Sequence, residues 1–337
     1  MSFAVNGERT ENVLSVFDAM EGFPRNNTIA DNFIRGYSII NRSYYDKVMA
    51  TISGGSDSDV VLDILTRADQ NKKIDYIWLD TGLEYQATKD HLEYLEEKYG
   101  IKIKRVRPKK PIPVAVKEYG QPFCNKRAAG MIGRLQAHNF KWEDAPYEEL
   151  LRKYPNCKGA LDWWCNKNIS NQLNICNNKL LKEFLIANPP TFKISDHCCE
   201  CAKKTPVKHL IQNEGYQLNI YGVRKAEGGN RSTAYHSCFG NKSHGKASWD
   251  EYRPLYWYTS EDKRDYCEAL NIVHSECYTK YGLQRTGCCG CPFGRDFEHE
   301  LEILEKYEPK LYKAANNIFK DSYEYTRKYH QFVKDNA

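Results

Sequence analysis

The chain has 337 residues, and 49 Lys and Arg against 44 Asp and Glu give it a formal net charge of +5 at pH 7. This excess is too small to indicate nucleic-acid binding by itself. No segment approaches the ~20 apolar residues of a membrane-spanning helix, and the first residues lack the basic start and apolar core of a secretory signal. We therefore expect a cytoplasmic protein, in which thirteen cysteines favour metal, cluster or thiol chemistry over disulfide bonds.

The order of predicted elements indicates an α/β domain. Apolar residues at helical spacing over residues 11–43 predict a helical lead-in, and from Lys47 onward strands alternate with helices. Strands alternating with helices are typical of a parallel sheet that binds ligands at the carboxyl ends of its strands. The predicted strands are 48–52, 74–80, 101–104 and 218–223. We expect the division 1–43 for the lead-in, 44–240 for a nucleotide-binding α/β domain, and 241–337 for a cysteine-rich turn with C-terminal helices.

A glycine-rich run follows the first predicted strand and opens a predicted helix. Its residues are Ser53, Gly54, Gly55, Ser56, Asp57 and Ser58. Two glycines allow a tight turn in which successive N–H groups and a helix N-terminus point at one anion. The serines add hydroxyl donors, and Asp57 is placed to hold Mg²⁺ against phosphates. No Lys follows the glycines, so the run is not the loop of γ-phosphate-transferring NTPases. The alternative is an ordinary Ser-Gly-Gly loop.

This run resembles SGGxDS, the signature of the PP-loop ATP pyrophosphatases, which cleave ATP between its α and β phosphates. Further segments are similar to one PP-loop branch, the phosphoadenylylsulfate reductase family, from about Lys47 to Gly294. They are Leu79 to Glu84, Gly222-Val223-Arg224 with Glu227 and Arg231, Pro254-Leu255 through Trp257, Asp262, Tyr266, Tyr281-Gly282 and Gly287-Cys288. The resemblance implies a twisted parallel sheet with helices on both faces, of the adenine nucleotide α-hydrolase type.

The same resemblance suggests roles for charged residues near the strand ends. Arg224 and Arg231 carry guanidinium forks suited to phosphate or sulfate, and with Asp57 they are the candidate catalytic residues. Surface ion pairs are the alternative for both arginines. Asp80, Thr81 and Gly82 are candidates for nucleotide or Mg²⁺ contact, whereas a plain strand-capping carboxylate is the alternative for Asp80.

The cysteines form a second constellation. Cys198 and Cys199 are adjacent, and Cys288 and Cys291 form a C-x-x-C turn about 90 residues later. This layout resembles the ligand set of the adenylylsulfate reductases, which implies a 4Fe-4S cluster held by these four thiolates. Zinc bound by four cysteines is the rival interpretation. Cys201, Cys277 and Cys289 remain alternative ligands, and Cys238 is a candidate acceptor thiol for sulfur, with an inert buried role as the alternative.

The chain departs from the reductases at its C-terminal end, where their catalytic cysteine lies in an ECGLH-type tail and Cys291 is the last cysteine here. The remaining parts better resemble sulfurtransferases, including the DNA phosphorothioation proteins. We therefore expect an enzyme that uses ATP and Mg²⁺ to adenylylate an acceptor for sulfur transfer, with a sulfur donor such as a cysteine desulfurase and DNA or RNA as partners. A reductase and a non-catalytic nucleic-acid-binding module are the alternatives, and the sequence leaves a homo-oligomer open.

A basic run bears on the nucleic-acid partner. It comprises Lys102, Lys104, Arg105, Arg107, Lys109 and Lys110. Six cations in nine residues are suited to a phosphate backbone. A solvated strand edge protected by charged side chains explains the same run without any ligand.

Overall fold

The computed structural model describes residues 16–228, 235–245, 247–294 and 296–336. Its strands are β1 Val48–Thr51, β2 Ile74–Leu79, β3 Ile103–Val106, β4 Leu218–Tyr221, β5 Phe239–His244 and β6 Ala247–Tyr252. Its α-helices are α1 Asn27–Ile40, α2 Ser56–Ala68, α3 Gln86–Tyr99, α4 Ile112–Tyr119, α5 Lys126–Ala137, α6 Tyr147–Lys153, α7 Lys158–Trp164, α8 Leu181–Ala187, α9 His197–Cys199, α10 Thr205–Glu214, α11 Ser260–Ala269, α12 Glu276–Thr279, α13 Phe297–Tyr307 and α14 Pro309–Asp335. A π-helical turn spans Glu200–Lys204. Among the described helices, none combines the length and apolar character needed to cross a bilayer.

The described strands form one six-stranded sheet in the order β3-β2-β1-β4-β6-β5. Neighbouring strands are parallel except β5 and β6, which pair antiparallel. The predicted α/β fold with a parallel sheet is thereby confirmed. The chain moves outward from β1 to β2 and β3, and then returns to place β4 on the other side of β1. This reversal of direction between β1 and β4 creates the crevice in which open α/β sheets bind their ligands.

The chain divides into two compact units. Unit 1 comprises residues 1–80, 85–107 and 206–286, and unit 2 comprises residues 81–84, 108–205 and 287–337. Each unit is discontinuous in the sequence and combines three separate residue ranges, so a single boundary between consecutive residues cannot define it. The division at residues 43 and 240 stays a prediction.

Unit 1 contains the sheet, and side-chain alternation along its strands produces two cores. Val48 and Ala50 of β1 pack into a core with α1, α2 and α3, whereas Met49 between them packs into a second core with Ile211 of α10. Successive side chains of a strand point to opposite faces, so a strand that is buried throughout needs helices on both sides. The expected helices on both faces are present.

Unit 2 is helical and has an aromatic core. Trp163 and Trp164 of α7 and Phe184 of α8 are fully buried, and Tyr325 and Tyr329 of α14 pack against Phe184 with ring centroids 4.9 and 5.1 Å apart. The 27-residue helix α14 places its buried positions at intervals of three and four residues, the spacing of a single helical face.

The predicted strand ends need small corrections, and one hairpin escapes prediction. The second strand ends at Leu79, the third begins at Ile103, and the fourth ends at Tyr221. The β5–β6 hairpin extends the sheet beyond residue 240, where only a cysteine-rich turn and helices were expected. Strand β5 is an exposed edge strand made of Phe, Gly, Asn, Lys, Ser and His, and such a composition carries no apolar alternation.

Candidate active site

The glycine-rich run connects β1 to the start of α2 at the crevice between β1 and β4. Gly55 is the N-cap residue of α2, and because glycine has no side chain the N-cap residue itself accepts no side-chain hydrogen bond from the first turn. Inside the loop, the Ser53 N–H donates to the Ser58 hydroxyl at 2.9 Å and the Gly55 N–H to the Ser53 hydroxyl at 3.3 Å. The first turn of α2 thus presents N–H groups and a positive helix end to the crevice, which favours an anion there.

The two glycines are required by the backbone and by its surroundings. Gly54 has φ +70°, and a Cβ built on it would lie 2.7 Å from Thr88 Cγ2. A Cβ on Gly55 would lie 3.1 Å from the Thr286 hydroxyl and 3.2 Å from the Tyr278 hydroxyl. At Gly54 the backbone conformation is one that residues with side chains rarely adopt, and a Cβ would clash, whereas at Gly55 a Cβ would crowd two hydroxyl groups.

Asp57, in the first turn of α2, is held between two cations. Arg224 Nε lies 2.9 Å from Asp57 Oδ2, and Lys263 Nζ lies 2.6 Å from Asp57 Oδ1. The side chains of Asp57, Arg224 and Lys263 are only 18, 12 and 15% exposed. Burial by itself raises the pKa of Asp57, but Lys263 and Arg224 outweigh burial and hold that pKa below its ordinary value. Asp57 is therefore ionised at neutral pH.

These groups line one cavity of about 300 Å³ at the carboxyl ends of β1 and β4. The glycine-rich run provides one wall, the segment Tyr221, Gly222 and Arg224 provides another, and Lys263, Tyr278 and Thr286 complete it. The Tyr278 hydroxyl accepts a hydrogen bond from the Ser56 N–H at 3.0 Å, and Lys263 Nζ donates to the Ser56 hydroxyl at 2.7 Å. Arg285 and Glu227 also line the cavity, which thus has three cations and two carboxylates. Together with several N–H and hydroxyl donors, these charges are suited to a polyanion with a divalent cation.

Sequence reasoning missed Lys263 and Tyr278. Thr259 and Asp262 cap the start of α11 reciprocally, because the Thr259 N–H donates to Asp262 and the Asp262 N–H donates to Thr259. This Thr-x-x-Asp pattern is a recognisable helix start, which places Lys263 in the first turn of a helix. Nothing in the sequence directs that turn toward the glycine-rich run, since the approach depends on how α11 packs against the sheet.

The other predicted nucleotide contacts are placed differently. Asp80 follows β2 and is half-buried, and within the described residues it does not line the cavity. Thr81 and Gly82 belong to unit 2, where the Thr81 hydroxyl donates to Glu84 at 2.5 Å and lies 3.6 Å from Cys288 Sγ. Arg231 lies outside the described residues. The roles suggested for these four residues stay predictions.

Unit 2 brings the four predicted cysteine ligands together. The hydrogen bond with Cys199, burial, and the thiols of Cys291 and Cys288 all raise the pKa of Cys198. The same hydrogen bond lowers the pKa of Cys199, and Lys126 and Lys203 lower it further. These mutual effects fall off with distance, so the four thiols lie within electrostatic reach of one another. In the part of the chain that the structure describes, no group of three or more His, Cys, Asp or Glu side chains is placed to hold a metal ion.

Local backbone structure presents these cysteines. The π-helical turn Glu200–Lys204 follows Cys199 directly, and such turns are frequent at functional sites. The Cys291 N–H donates to the Cys288 carbonyl at 3.2 Å, closing the C-x-x-C turn, and Gly290 inside it has φ +59°. Lys203 is half-buried and lies within electrostatic reach of these cysteines. Cys288 has the largest effect in raising the pKa of its ammonium group, and Glu84, Cys199 and Cys291 raise that pKa further. An ammonium among thiols favours their ionised form, the form that binds metals.

The remaining cysteines that were singled out are elsewhere. Cys289 is buried in unit 2, with its N–H donating to Leu83, and Cys201 is half-buried there. Cys277 is buried in unit 1, 3.6 Å from the Thr88 hydroxyl. Cys238, the candidate acceptor thiol, is buried in unit 1 with Arg35 donating to it at 3.4 Å.

Comparison with known proteins bears on the crevice and its loop. The model of the phosphoadenosine phosphosulfate reductase domain matches residues 47–154. Over these residues the chain is similar to that domain. The matched residues contain the glycine-rich run and Asp80, and they end before Arg224 and the four cysteines.

Two relatives extend the comparison. An uncharacterized protein of Methanocaldococcus jannaschii is 26% identical over 325 residues, which are 94% of this chain and 50% of that protein. The chain thus spans about half the length of that relative. Adenosine 5'-phosphosulfate reductase 2 of Bacillus subtilis is 32% identical over 80 residues, which are 23% of this chain and 33% of that enzyme.

Solved structures are similar at a low level. The phosphoadenylyl-sulfate reductase of Candida auris has a TM-score of 0.39 at 13% identity and covers 86% of this chain and 97% of its own. The U34-tRNA thiolase of Methanococcus maripaludis, solved with its 4Fe-4S cluster, has a TM-score of 0.38 at 15% identity and covers 91 and 79%. At such scores these similarities do not bear on the activity of this chain.

Proposed function

We propose that this chain is a PP-loop ATP pyrophosphatase that adenylylates an acceptor for sulfur transfer, with nucleic acid as the acceptor in the manner of DNA phosphorothioation. The observation that carries the proposal is that the N-terminus of α2 lines a cavity in which Asp57 is held between Arg224 and Lys263. Both cations are held in place before a ligand binds, so they do not have to be reoriented when phosphate charge develops.

The geometry supports attack at the α-phosphorus with pyrophosphate as leaving group. The N–H groups at the start of α2 bind phosphate oxygens, and Arg224 and Lys263 offset the charge that builds on the leaving pyrophosphate. Asp57, between these two cations, is placed to hold Mg²⁺ against the same phosphates. In loops that transfer a γ-phosphate, a Lys follows the glycines directly in the sequence. Arg224 and Lys263 lie far from the glycines in the sequence, and this difference favours cleavage between the α and β phosphates.

The four cysteines of unit 2 fit an iron–sulfur cluster by their donor chemistry. A 4Fe-4S cubane takes one thiolate at each of four irons, and Cys198, Cys199, Cys288 and Cys291 offer four neighbouring thiols beside Lys203. These residues would hold the cluster, which with a thiolate on every iron would supply one-electron redox chemistry. Zinc is the rival occupant of the same set.

The experiment is a turnover assay with ATP labelled in each phosphate, with Mg²⁺ and a DNA or tRNA acceptor. We expect acceptor-dependent release of pyrophosphate with the α-phosphate transferred to the acceptor. Release of orthophosphate would refute the α,β-cleavage assignment. Salt-dependent nucleic-acid binding with no turnover of any nucleotide would indicate the binding module instead.

A reductase is the second candidate, and the match to the Bacillus subtilis enzyme favours it. A sulfonucleotide carries the same adenylyl phosphate with sulfate in place of pyrophosphate, so the cations and N–H donors of the cavity suit it as well. The two candidates separate in one assay, because a reductase forms sulfite from adenylylsulfate or phosphoadenylylsulfate with a thiol reductant. Robust sulfite formation without any ATP turnover would establish the reductase.

A further inference from the structure

A histidine in unit 1 connects a buried carboxylate to a thiol. His274 Nδ1 lies 2.7 Å from Asp59 Oδ2, and His274 Nε2 lies 3.7 Å from Cys267 Sγ. Asp59 has no exposed surface, and His274 is 21% exposed. Cys267 therefore has a histidine partner.

The hydrogen-bond partners of His274 indicate which ring nitrogen carries the proton in the neutral form. A carboxylate accepts hydrogen bonds and cannot donate them, so the ring nitrogen facing Asp59 carries the proton. In the neutral ring the other nitrogen is then an acceptor, and it faces the Cys267 thiol. A nucleophile, a base within hydrogen-bonding distance and a carboxylate that orients the base form the arrangement of an activated nucleophile.

Cys267 needs such a base. Burial, opposed by Lys263, raises the pKa of its thiol to about 11, so the resting group is protonated at neutral pH. The fold fixes the approach: α11 ends at Ala269, Asn271 takes φ +50°, and the chain turns back so that His274 faces the helix. Cys267 is half-buried and therefore within reach of a small donor.

The thiol is also close to the cavity. Lys263, one helical turn before Cys267 on α11, lines the cavity, and the ring of Tyr278, another lining residue, is 5.9 Å from the ring of His274. Asp59 lies in the first turn of α2, two residues after Asp57. A second sulfur on Cys267 would extend the side chain by about 2 Å.

We propose that Cys267, with His274 as its general base and Asp59 as positioning residue, accepts the sulfane sulfur of a persulfide next to the nucleotide site. This inference rests on the proposed sulfur-transfer function. His274 takes the thiol proton, the Cys267 thiolate attacks the outer sulfur of the donor persulfide, and the sulfur–sulfur bond of the donor breaks. The donor sulfur leaves with the electron pair and receives the proton from His274, so one thiol and one persulfide exchange without net oxidation.

The test measures persulfide formation at individual cysteines of the full chain. The protein is incubated anaerobically at pH 7 with glutathione persulfide, trapped with iodoacetamide, and mapped by mass spectrometry. Cys124 is the internal control, because it is also half-buried and burial raises its pKa to about 11 as well, while its thiol contacts Asn125 and Asn178. We expect Cys267 to gain sulfur at least about tenfold faster than Cys124.

Two histidine variants distinguish activation of the Cys267 thiol by His274 from a general structural effect of altering the contacts of Asp59. His91 Nε2 donates to the other oxygen of Asp59 at 2.9 Å, so His91→Gln perturbs the same carboxylate without touching the Cys267–His274 pair. We expect His274→Gln to lower the Cys267 rate to that of Cys124 and His91→Gln to leave it within about twofold. Equal rates at Cys267 and Cys124, or equal losses in both variants, would refute the proposal.

The same samples test this inference and the proposed function separately. Pyrophosphate release from ATP is measured in parallel on wild type and Cys267→Ser. Selective persulfidation of Cys267 without pyrophosphate release would refute the proposed function and support the reactive thiol. Pyrophosphate release with an unreactive Cys267 would support the proposed function and refute the assignment of this thiol.

Discussion

Lys263 Nζ lies 2.6 Å from Asp57 Oδ1, although these two residues are far apart in the sequence. The contact joins the first turn of α11 to the first turn of α2 and closes the cavity that Arg224 borders on the other side. A lysine that is 15% exposed needs a countercharge, and here the countercharge is itself a candidate Mg²⁺ ligand. Nucleotide binding and the stability of this region are therefore expected to depend on the same carboxylate.

Asp57→Asn should destabilise the protein by about 2 kcal/mol at pH 7, because it leaves two half-buried cations without their countercharge. The folded pKa of Asp57 is below the ordinary value of 3.8, so its contribution is complete above that pH and is lost as the pH falls toward the folded pKa. The difference in stability between wild type and variant should be constant from pH 5 to 7 and shrink below about pH 4. Urea denaturation at several pH values measures it.

Asp90→Asn is the control for this series, because Asp90 is an exposed carboxylate on α3 that accepts from Gln86 at 2.7 Å. We expect it to change stability by less than about 0.5 kcal/mol. A wild-type advantage over Asp57→Asn that persists unchanged at pH 3 would show that the ion pairs do not stabilise the fold.

Gly54→Ala should abolish pyrophosphate release and destabilise the protein by more than about 1 kcal/mol, since the new Cβ meets Thr88 in addition to the cost of positive φ. Gly100→Ala is the matched control: Gly100 ends α3 with φ +59°, and nothing lies within 4 Å of a Cβ there. The control should show only the cost of positive φ, about 1 kcal/mol, and keep its activity. Equal effects of the two substitutions would contradict a close-packed loop.

Anaerobically isolated protein should contain about four iron and four sulfide per chain, and Cys288→Ser should lose both. Cys157→Ser provides the control, because Cys157 is also a buried thiol of unit 2 and belongs to its aromatic core. Iron and sulfide analysis with visible absorption spectra checks the outcome. Stoichiometric zinc without sulfide would assign the four cysteines to zinc.

The double variant Lys102→Ala with Arg107→Ala should weaken binding to DNA or tRNA and reduce the slope of log K against log salt by about 1.8 if both cations contact phosphates. Lys104→Ala is a control from β3, between the two variant positions, because Lys104 is exposed yet already paired with Glu214 at 2.7 Å. Titrations at several salt concentrations measure both slopes. An unchanged slope in the double variant would favour the interpretation of the basic run as a protected strand edge.

The glycine-rich run shows what the sequence could predict. Strand β1, the tight turn at the glycines and the start of α2 are determined by residues that are close in the sequence, so the residue pattern was sufficient to predict them. Arg224 could be placed near the run because parallel strands share one carboxyl edge. The strand order that sets β4 directly beside β1 could not be read from the sequence, since it is decided by packing.

Thr81 shows that adjacent residues of one motif can belong to different units. Asp80 and Thr81 form one motif in the sequence, yet Asp80 belongs to unit 1 and Thr81 to unit 2, where its hydroxyl lies near Cys288. The β5–β6 hairpin was missed for a different reason, because an exposed edge strand has little apolar surface to reveal it. Lys263 was missed because its importance comes from a contact between distant helices.

The edge strands of the sheet affect the tendency of the protein to aggregate at high concentration. Strands β3 and β5 are the outermost strands, and both carry exposed charged side chains, among them Lys104 and Arg105 on β3 and Lys242 on β5. A strand added by a second molecule would lie about 4.8 Å away and bring like charges together. The charged edges thus oppose the intermolecular β-pairing that leads to aggregation.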